Sequence, residues 1–261
     1  MADYIFIRKS RNVLSSVLHV ILNILLGVGS IFVTVVSGSW VIGIILVLIS
    51  KWRMFAVQPR YWWVNIKSNI VDLVVGCSLV LLAYYSGNTL LLIHFILSAI
   101  YVAWLIIIKP LSSEGATLVQ ALIAIFLGSS TVSIMCASTS SLLAVALSFI
   151  VGYGASRHVL IQNEEEGDGG LTALVCGLVF SEITWLCHSW MIVYTFGTTG
   201  IRIPQLAIIL SLLAFAFHRV YQSIVIHDGK LKLADIALPT IFSLLIVAIL
   251  VFGFSQPIFN V

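Results

Sequence analysis

The stretch "SEITWLCHSW", residues 181–190, places a carboxylate, Glu182, and an imidazole, His188, inside a long run of apolar residues. Ionisable side chains are costly in hydrocarbon, and those found in membrane helices usually face a bundle interior or mark a proton or ion pathway. Glu182 is therefore our first candidate for a coupling group in proton or cation transport. The alternative is structural, a neutral or paired carboxyl group that holds helices together.

Helical geometry separates this run into two faces. At 100° per residue, its polar positions fall within an arc of about 160°, and most of its aliphatic side chains fall on the other side. This polar face predicts that Glu182 points into the helix bundle. The members of the face are Ser181, Glu182, Thr184, Trp185, His188 and Ser189.

The expected partners of Glu182 come from a second apolar run, 205–226, which carries His218 and Arg219. A rise of 1.5 Å per residue places Glu182 roughly 16 Å and His218 roughly 12 Å from the inner membrane boundary. Because these depths are similar, we expect His218 or Arg219 to pair with the carboxylate.

Histidines at matching depths allow one cofactor alternative. His19 and His218 share an inner depth, and His94 and His188 share an outer depth, as two haems with two histidine ligands each would require. Chance produces such matches easily when six histidines are scattered along the chain. No cofactor or metal is therefore expected, and the di-haem arrangement is the minor alternative.

The elements that position these side chains are membrane helices. Apolar residues make up 61% and charged residues 9% of the 261 positions, against about 45–50% and 25% in soluble domains. A backbone surrounded by lipid must satisfy its own polar groups, so the apolar runs are predicted to be helices. We therefore expect one all-α transmembrane domain over 1–261. Its nine predicted spans are 12–36, 39–51, 68–85, 89–108, 117–136, 141–160, 171–196, 205–226 and 236–255.

The positive charges give this bundle an orientation. With a cytoplasmic N-terminus and nine spans, every one of the 13 Lys and Arg residues except Arg202 falls on the cytoplasmic side. This agrees with the positive-inside bias of membrane proteins. The C-terminus is then expected outside.

The segment 51–67 alternates basic and aromatic residues and is predicted to lie in the inner membrane interface, where both types anchor a chain to lipid. A docking platform for a partner is the less favoured alternative. Asp72 lies just after this segment, on the same helical face as Asn65 and Asn69. We expect it to have a capping or interfacial role. The predicted lipid anchors are Trp52, Arg53, Arg60, Tyr61, Trp62, Trp63 and Lys67.

An internal repeat is suggested at an offset of 101 residues, where Leu26-Gly27 coincides with Leu127-Gly128 and Leu73-Val74 with Leu174-Val175. The copies would be parallel four-helix units at 12–109 and 113–226, as in some transporters. Chance identity in so apolar a chain is the alternative.

The segment "KWRMFAVQPRYWWVNIKSNIVDLVVGCSLVLL", residues 51–82, resembles an uncharacterised family of polytopic membrane proteins from bacteria with very small genomes, and "SEITW" extends the resemblance. The resemblance implies a multi-pass protein of the bacterial inner membrane. It implies no activity and no site residues.

Three classes of function remain open. The first is a transporter or permease-like protein for a small solute, with Glu182 as the coupling group. The second is a non-catalytic subunit or scaffold that packs against membrane proteins or a second copy. The third, less favoured because no nucleophile, metal or nucleotide motif is present, is an intramembrane enzyme or di-haem electron-transfer protein. The lipid bilayer is the expected partner, and nucleic acid is not, since a basic arm is missing.

Overall fold

A computed structural model describes residues 2–87, 91–160, 169–190, 192–195, 201–227 and 229–253, with the backbone alone for 2–14 and Arg53. Ten α-helices dominate this part of the chain, which confirms the all-α prediction. The helices are α1 (Ala2–Ser37), α2 (Trp40–Ser50), α3 (Trp62–Ser68), α4 (Ile70–Tyr85), α5 (Leu91–Ala103), α6 (Glu114–Cys136), α7 (Ser141–Leu160), α8 (Gly169–His188), α9 (Gln205–Ile226) and α10 (Leu233–Ala248).

Short irregular helices complete several of these elements. The π-helical turns Trp104–Ile108 and Ile249–Gly253 extend α5 and α10, and the 3₁₀ turns Trp52–Met54 and Pro59–Tyr61 precede α3. Pro59 has no N–H to donate and stands at the first position of its turn, where none is needed.

Seven helices are long and apolar enough to cross a membrane, and α4 counts as an eighth if it is joined to the segment Pro59–Ser68, from which it bends by 68°. These helices confirm a membrane protein. Helix α2 has only 11 residues, or about 16 Å of rise, against a hydrocarbon core of about 30 Å. The total of nine spans and the cytoplasmic N-terminus stay predictions.

One predicted span is wrong at its C-terminal end. The seventh was expected to run from 171 to 196, but α8 ends at His188, and Val193–Thr195 (β1) pairs antiparallel with Arg202–Pro204 (β2). The β-branched and aromatic residues of Val193–Thr195 favour a strand. They are also apolar, so hydropathy alone assigns them to the preceding helix. The outermost residues of the predicted spans at 89–90, 196 and 254–255 lie outside the described residues.

The helices pack in two sets. In the first set α1 packs against α2 and α5, and α2 packs against α4; in the second, α6 packs against α7 and α9, and α7 packs against α8. Helices α4 and α6 join the sets, and α10 packs on α9. The sequence repeat itself stays a prediction.

Candidate functional site

Glu182 lies on the outer surface of α8, so the prediction that it faces the bundle interior is wrong. Its side chain is exposed, like those of Leu178, Trp185 and Leu186 on the same face. Among the described residues Glu182 makes no ion pair or hydrogen bond. The 100° spacing correctly places the polar residues of α8 on one arc, but the rest of the bundle contacts only one edge of that arc.

The inner edge of that arc binds α8 to α7. Ser181 donates to the Val145 carbonyl oxygen at 3.1 Å, and Thr184 donates to Ser148 Oγ at 2.9 Å. Ser181 and Thr184 are therefore helix-packing groups, since interhelical hydrogen bonds of this kind stabilise membrane bundles.

The other members of the predicted polar core do not meet Glu182. His188 is half-buried, its Nδ1 has no hydrogen-bond partner in the described part of the chain, and Ser189 is exposed. Arg219 donates to Gln222 on its own helix at 3.2 Å. The predicted pairing of Glu182 with His218 or Arg219 is thus not found.

The structure instead has a buried ion cluster around Asp72, for which only a capping or interfacial role was expected. Lys51 and Lys109 both donate to Asp72 Oδ2, the latter at 2.6 Å, and Trp104 Nε1 donates to Oδ1 at 3.0 Å. Lys51 and Asp72 are each 8% exposed. Burial of a charge is tolerated only with such partners, and here one carboxylate receives three donors.

This ion cluster joins three helix ends at one end of the bundle. Lys51 follows α2, Asp72 lies in the first turn of α4, and Lys109 follows the π turn of α5. Burial disfavours the charged form of Lys109, but the attraction and hydrogen bond of Asp72 outweigh it, so the pKa of Lys109 is raised above its ordinary value. The cluster could have been found from sequence by comparing the depths of all charged residues.

Gln120 continues the polar contacts at the same end. Its Nε2 donates to the carbonyl oxygens of Ile108 and Leu111, at 2.7 and 2.9 Å, at and just after the end of the π turn that extends α5. Its Oε1 lies 2.8 Å from Nε2 of His158 on α7. The ends of α5 and α7 and the start of α6 are thus held together.

The segment 51–67 presents exposed aromatic rings beside this end. Trp52, Tyr61, Trp62 and Trp63 are 62%, 47%, 39% and 64% exposed. Arg60 and Lys67 lie over the rings of Tyr61 and Trp63, 4.6 and 5.0 Å from their centroids. The Arg53 side chain lies outside the described residues. Exposed aromatic rings with stacked cations suit a headgroup layer, and the lipid-anchor role stays a prediction.

An apolar groove of about 380 Å³ lies between α8 and α9, with α6 and α7 behind it. Buried residues such as Ala121 and Ala155 form its base, and exposed residues such as Val179 and Phe217 border its mouth. His218 lines the groove, and its buried Nδ1 has no hydrogen-bond partner among the described residues. The groove can therefore accept an apolar chain, and the His218 imidazole forms part of its wall. Hydropathy alone gave no signal for it, because a gap between helices depends on their relative placement.

The histidines of the haem hypothesis lie on four different helices. His19 is on α1, 3.1 Å from Asn23 Nδ2, while His218 is on α9. His94 Nε2 lies 3.2 Å from Ser86 Oγ, and His188 ends α8. Over the part of the chain that the structure describes, no group of three His, Cys, Asp or Glu side chains could hold a metal. The di-haem arrangement stays a prediction.

Comparisons with protein-family models, curated proteins and solved structures give no match to this chain.

Proposed function

We propose that this chain is a multi-pass protein of the bacterial inner membrane that binds a lipophilic molecule in the groove between α8 and α9. The ligand class is an amphiphile with an apolar chain and one polar head. The observation that carries this proposal is a largely apolar groove lined by the half-buried side chain of His218.

The lining supports an apolar ligand. Binding sites for small molecules typically enclose about 300–1,000 Å³ and combine hydrophobic walls with a few polar groups, and this groove falls in that range at about 380 Å³. Its mouth is bordered by Leu171, Val175 and Phe217, which are 67%, 52% and 44% exposed. In a bilayer this mouth opens to lipid, so a ligand enters sideways from the membrane.

The position of His218 supports a polar head at one level of the groove. His218 lines the groove and is half-buried, and an imidazole hydrogen-bonds to a hydroxyl, carboxyl or phosphate group. His218 stands eight residues before the end of α9 at Ile226, or about 12 Å along the helix axis. The ligand head would therefore lie below the membrane surface, with its chain towards Ile125 and Ile183.

The proposed topology places this groove in the inner leaflet. We propose nine membrane-crossing helices, α1, α2 and α4 to α10, with the N-terminus in the cytoplasm. Helices α2 and α4 are short, and each crosses the membrane once. The basic residues support this orientation, because all but Arg202 of the 13 then lie on the cytoplasmic side. The ion cluster and the segment 51–67 lie at that same end.

Equilibrium binding of a dansyl-labelled fatty acid to the purified full chain tests the proposal. Ala214→Phe places a ring in the groove and should weaken binding at least tenfold. Leu244→Phe adds a ring at a position on α10 that is 50% exposed and should leave binding unchanged. Equal binding by both variants and the wild type would refute the groove as the ligand site.

The exposed position of Glu182 favours a second candidate, a non-catalytic subunit that packs against membrane proteins through α8.

Transport of a small solute with Glu182 as the coupling group has a further requirement. Water would have to reach Glu182, whose side chain does not line the groove. A permease for a lipophilic molecule needs no such path and agrees with the groove.

A further inference from the structure

A second, smaller pocket lies at the end of the bundle away from the ion cluster. It encloses about 170 Å³ between the C-terminal end of α4, the helices α5 and α6, and β2. Buried Ile93 and Leu97 form its wall on α5, and exposed Ile96 and Ile100 border its mouth. It shares no lining residue with the groove between α8 and α9, so the two are separate sites.

Ser130 on α6 gives this apolar pocket a buried hydroxyl group. The residue lines the pocket and is 3% exposed, and its Oγ has no hydrogen-bond partner in the described part of the chain. The adjacent Thr131 is different, because its hydroxyl lies within hydrogen-bond distance of the carbonyl oxygens of Leu127 and Ser78, at 2.9 and 3.2 Å. An unsatisfied buried hydroxyl is destabilising. An acceptor on a ligand inside the pocket would satisfy Ser130.

Arg202 on β2 places a positive charge at the rim of the pocket. Its side chain is exposed and forms no ion pair with any described residue. In the proposed topology Arg202 is the only one of the 13 Lys and Arg residues on the outer side, and the connecting and terminal segments on that side contain no Asp or Glu. Those segments are 37–39, 86–90, 137–140, 189–204 and 254–261. The rim therefore suits an anionic group supplied by a ligand.

We propose that this pocket holds one acyl chain of an anionic phospholipid from the outer leaflet, with the phosphate at Arg202 and an ester carbonyl oxygen at Ser130. A guanidinium group binds phosphate oxygens through paired hydrogen bonds. Ser130 lies six residues before the end of α6 at Cys136, or about 9 Å along the helix axis. The hydroxyl is thus deeper than the membrane surface, as the ester groups of a phospholipid are deeper than its phosphate.

The size and the mouth of the pocket favour a lipid over a molecule that is enclosed whole. Sites that enclose a small molecule typically have about 300–1,000 Å³, and this pocket has about 170 Å³. Its mouth lies beside exposed Ile96 and Ile100 on α5, so the second acyl chain remains in the bilayer. A free phosphate ion would contact Arg202 but would leave the apolar wall empty.

Photolabelling in phosphatidylcholine liposomes tests the site. The full chain would be irradiated with phosphatidylglycerol that carries a diazirine on one acyl chain, and adducts in 93–100 and 126–134 would be counted by mass spectrometry. A phosphatidylcholine probe with the same diazirine chain is the control. We expect the anionic probe to label these segments about threefold more than the control at equal mole fraction. Equal labelling by the two probes would overturn recognition of the anionic head.

Two variants test the individual contacts. Arg202→Gln should lower labelling by the anionic probe to the level of the control probe, whereas Arg60→Gln, which removes an exposed arginine at the opposite end, should leave it unchanged. Ser130→Ala should lower it about 2- to 10-fold, the factor for one hydrogen bond. Unchanged labelling in Arg202→Gln would overturn the phosphate contact, and unchanged labelling in Ser130→Ala would overturn the ester contact. Adducts in 171–183 report the groove separately, so either proposal can fail without the other.

Discussion

Asp72 and Trp104 are joined by a hydrogen bond of 3.0 Å from the indole Nε1 to Oδ1, although 32 residues separate them in the chain. The bond occupies the carboxylate oxygen that Lys51 and Lys109 leave free, so both oxygens of Asp72 have donors. It also ties the first turn of α4 to the π turn that follows α5. Asp72 is therefore the organising residue at this end of the bundle.

Asp72→Ala should destabilise the protein strongly. The change leaves Lys51 buried without its counter-charge, and breaking a buried ion pair from one side costs about 3–5 kcal/mol. The free energy of unfolding in an SDS titration measures the loss. Asp235→Asn is the control, because Asp235 is 49% exposed and, within the described ranges, forms its ion pair only with His227, at 3.6 Å; about 0.5 kcal/mol is expected there. Similar losses in both variants would contradict the importance of the ion cluster.

Alkaline pH should lower the thermal stability of the wild type more than that of the Lys109→Met variant. Asp72 raises the pKa of Lys109 in the folded state, so the folded protein holds this proton more tightly than the unfolded chain. The resulting stability is complete below the ordinary lysine pKa of about 10.4 and is lost as pH rises through the raised value. Thermal unfolding at pH 9 and pH 11 should therefore show a larger drop for the wild type. Equal drops would show that Lys109 gains nothing from Asp72.

Gly152→Ala should loosen the packing of α7 against α8. A Cβ at Gly152 would come within 2.6 Å of Phe180 Cγ and 2.7 Å of its Cβ, and such overpacking typically costs 1–3 kcal/mol. Gly29→Ala is the matched control on α1, since nothing lies within 4 Å of a Cβ there; it should be neutral or stabilising by up to about 1 kcal/mol. Thermal midpoints of the two variants decide between these outcomes.

The sequence predicted the helices well but not their relative placement. The predicted spans 141–160 and 205–226 match α7 and α9 residue for residue, because hydropathy reports each helix separately. The polar arc predicts that Glu182 faces inward, but an arc of about 160° is wide enough to include both the α7 contact and the outer surface, where Glu182 lies. The ion cluster of Asp72 is harder to predict, because its lysine partners lie 21 and 37 residues away in the chain. Only a comparison of charged residues at the same membrane depth brings the three together.

The proposed topology predicts which turns an impermeant maleimide can reach. Ser140→Cys, in the turn before α7, should be labelled from outside intact cells because this turn faces outward. Lys230→Cys, in the turn between α9 and α10, should be labelled only after the cells are permeabilised. The reverse pattern would invert the bundle, and labelling of both sites in intact cells would refute nine spans.

Photolabelling most directly tests whether the groove holds a lipophilic ligand. Full-length protein in liposomes would be irradiated with a diazirine-bearing fatty acid, and the labelled peptides mapped by mass spectrometry. We expect adducts concentrated in 171–183 of α8 and 213–221 of α9, reduced by excess unlabelled fatty acid and by His218→Leu. Adducts spread over all lipid-facing helices, unaffected by competitor or by His218→Leu, would contradict it.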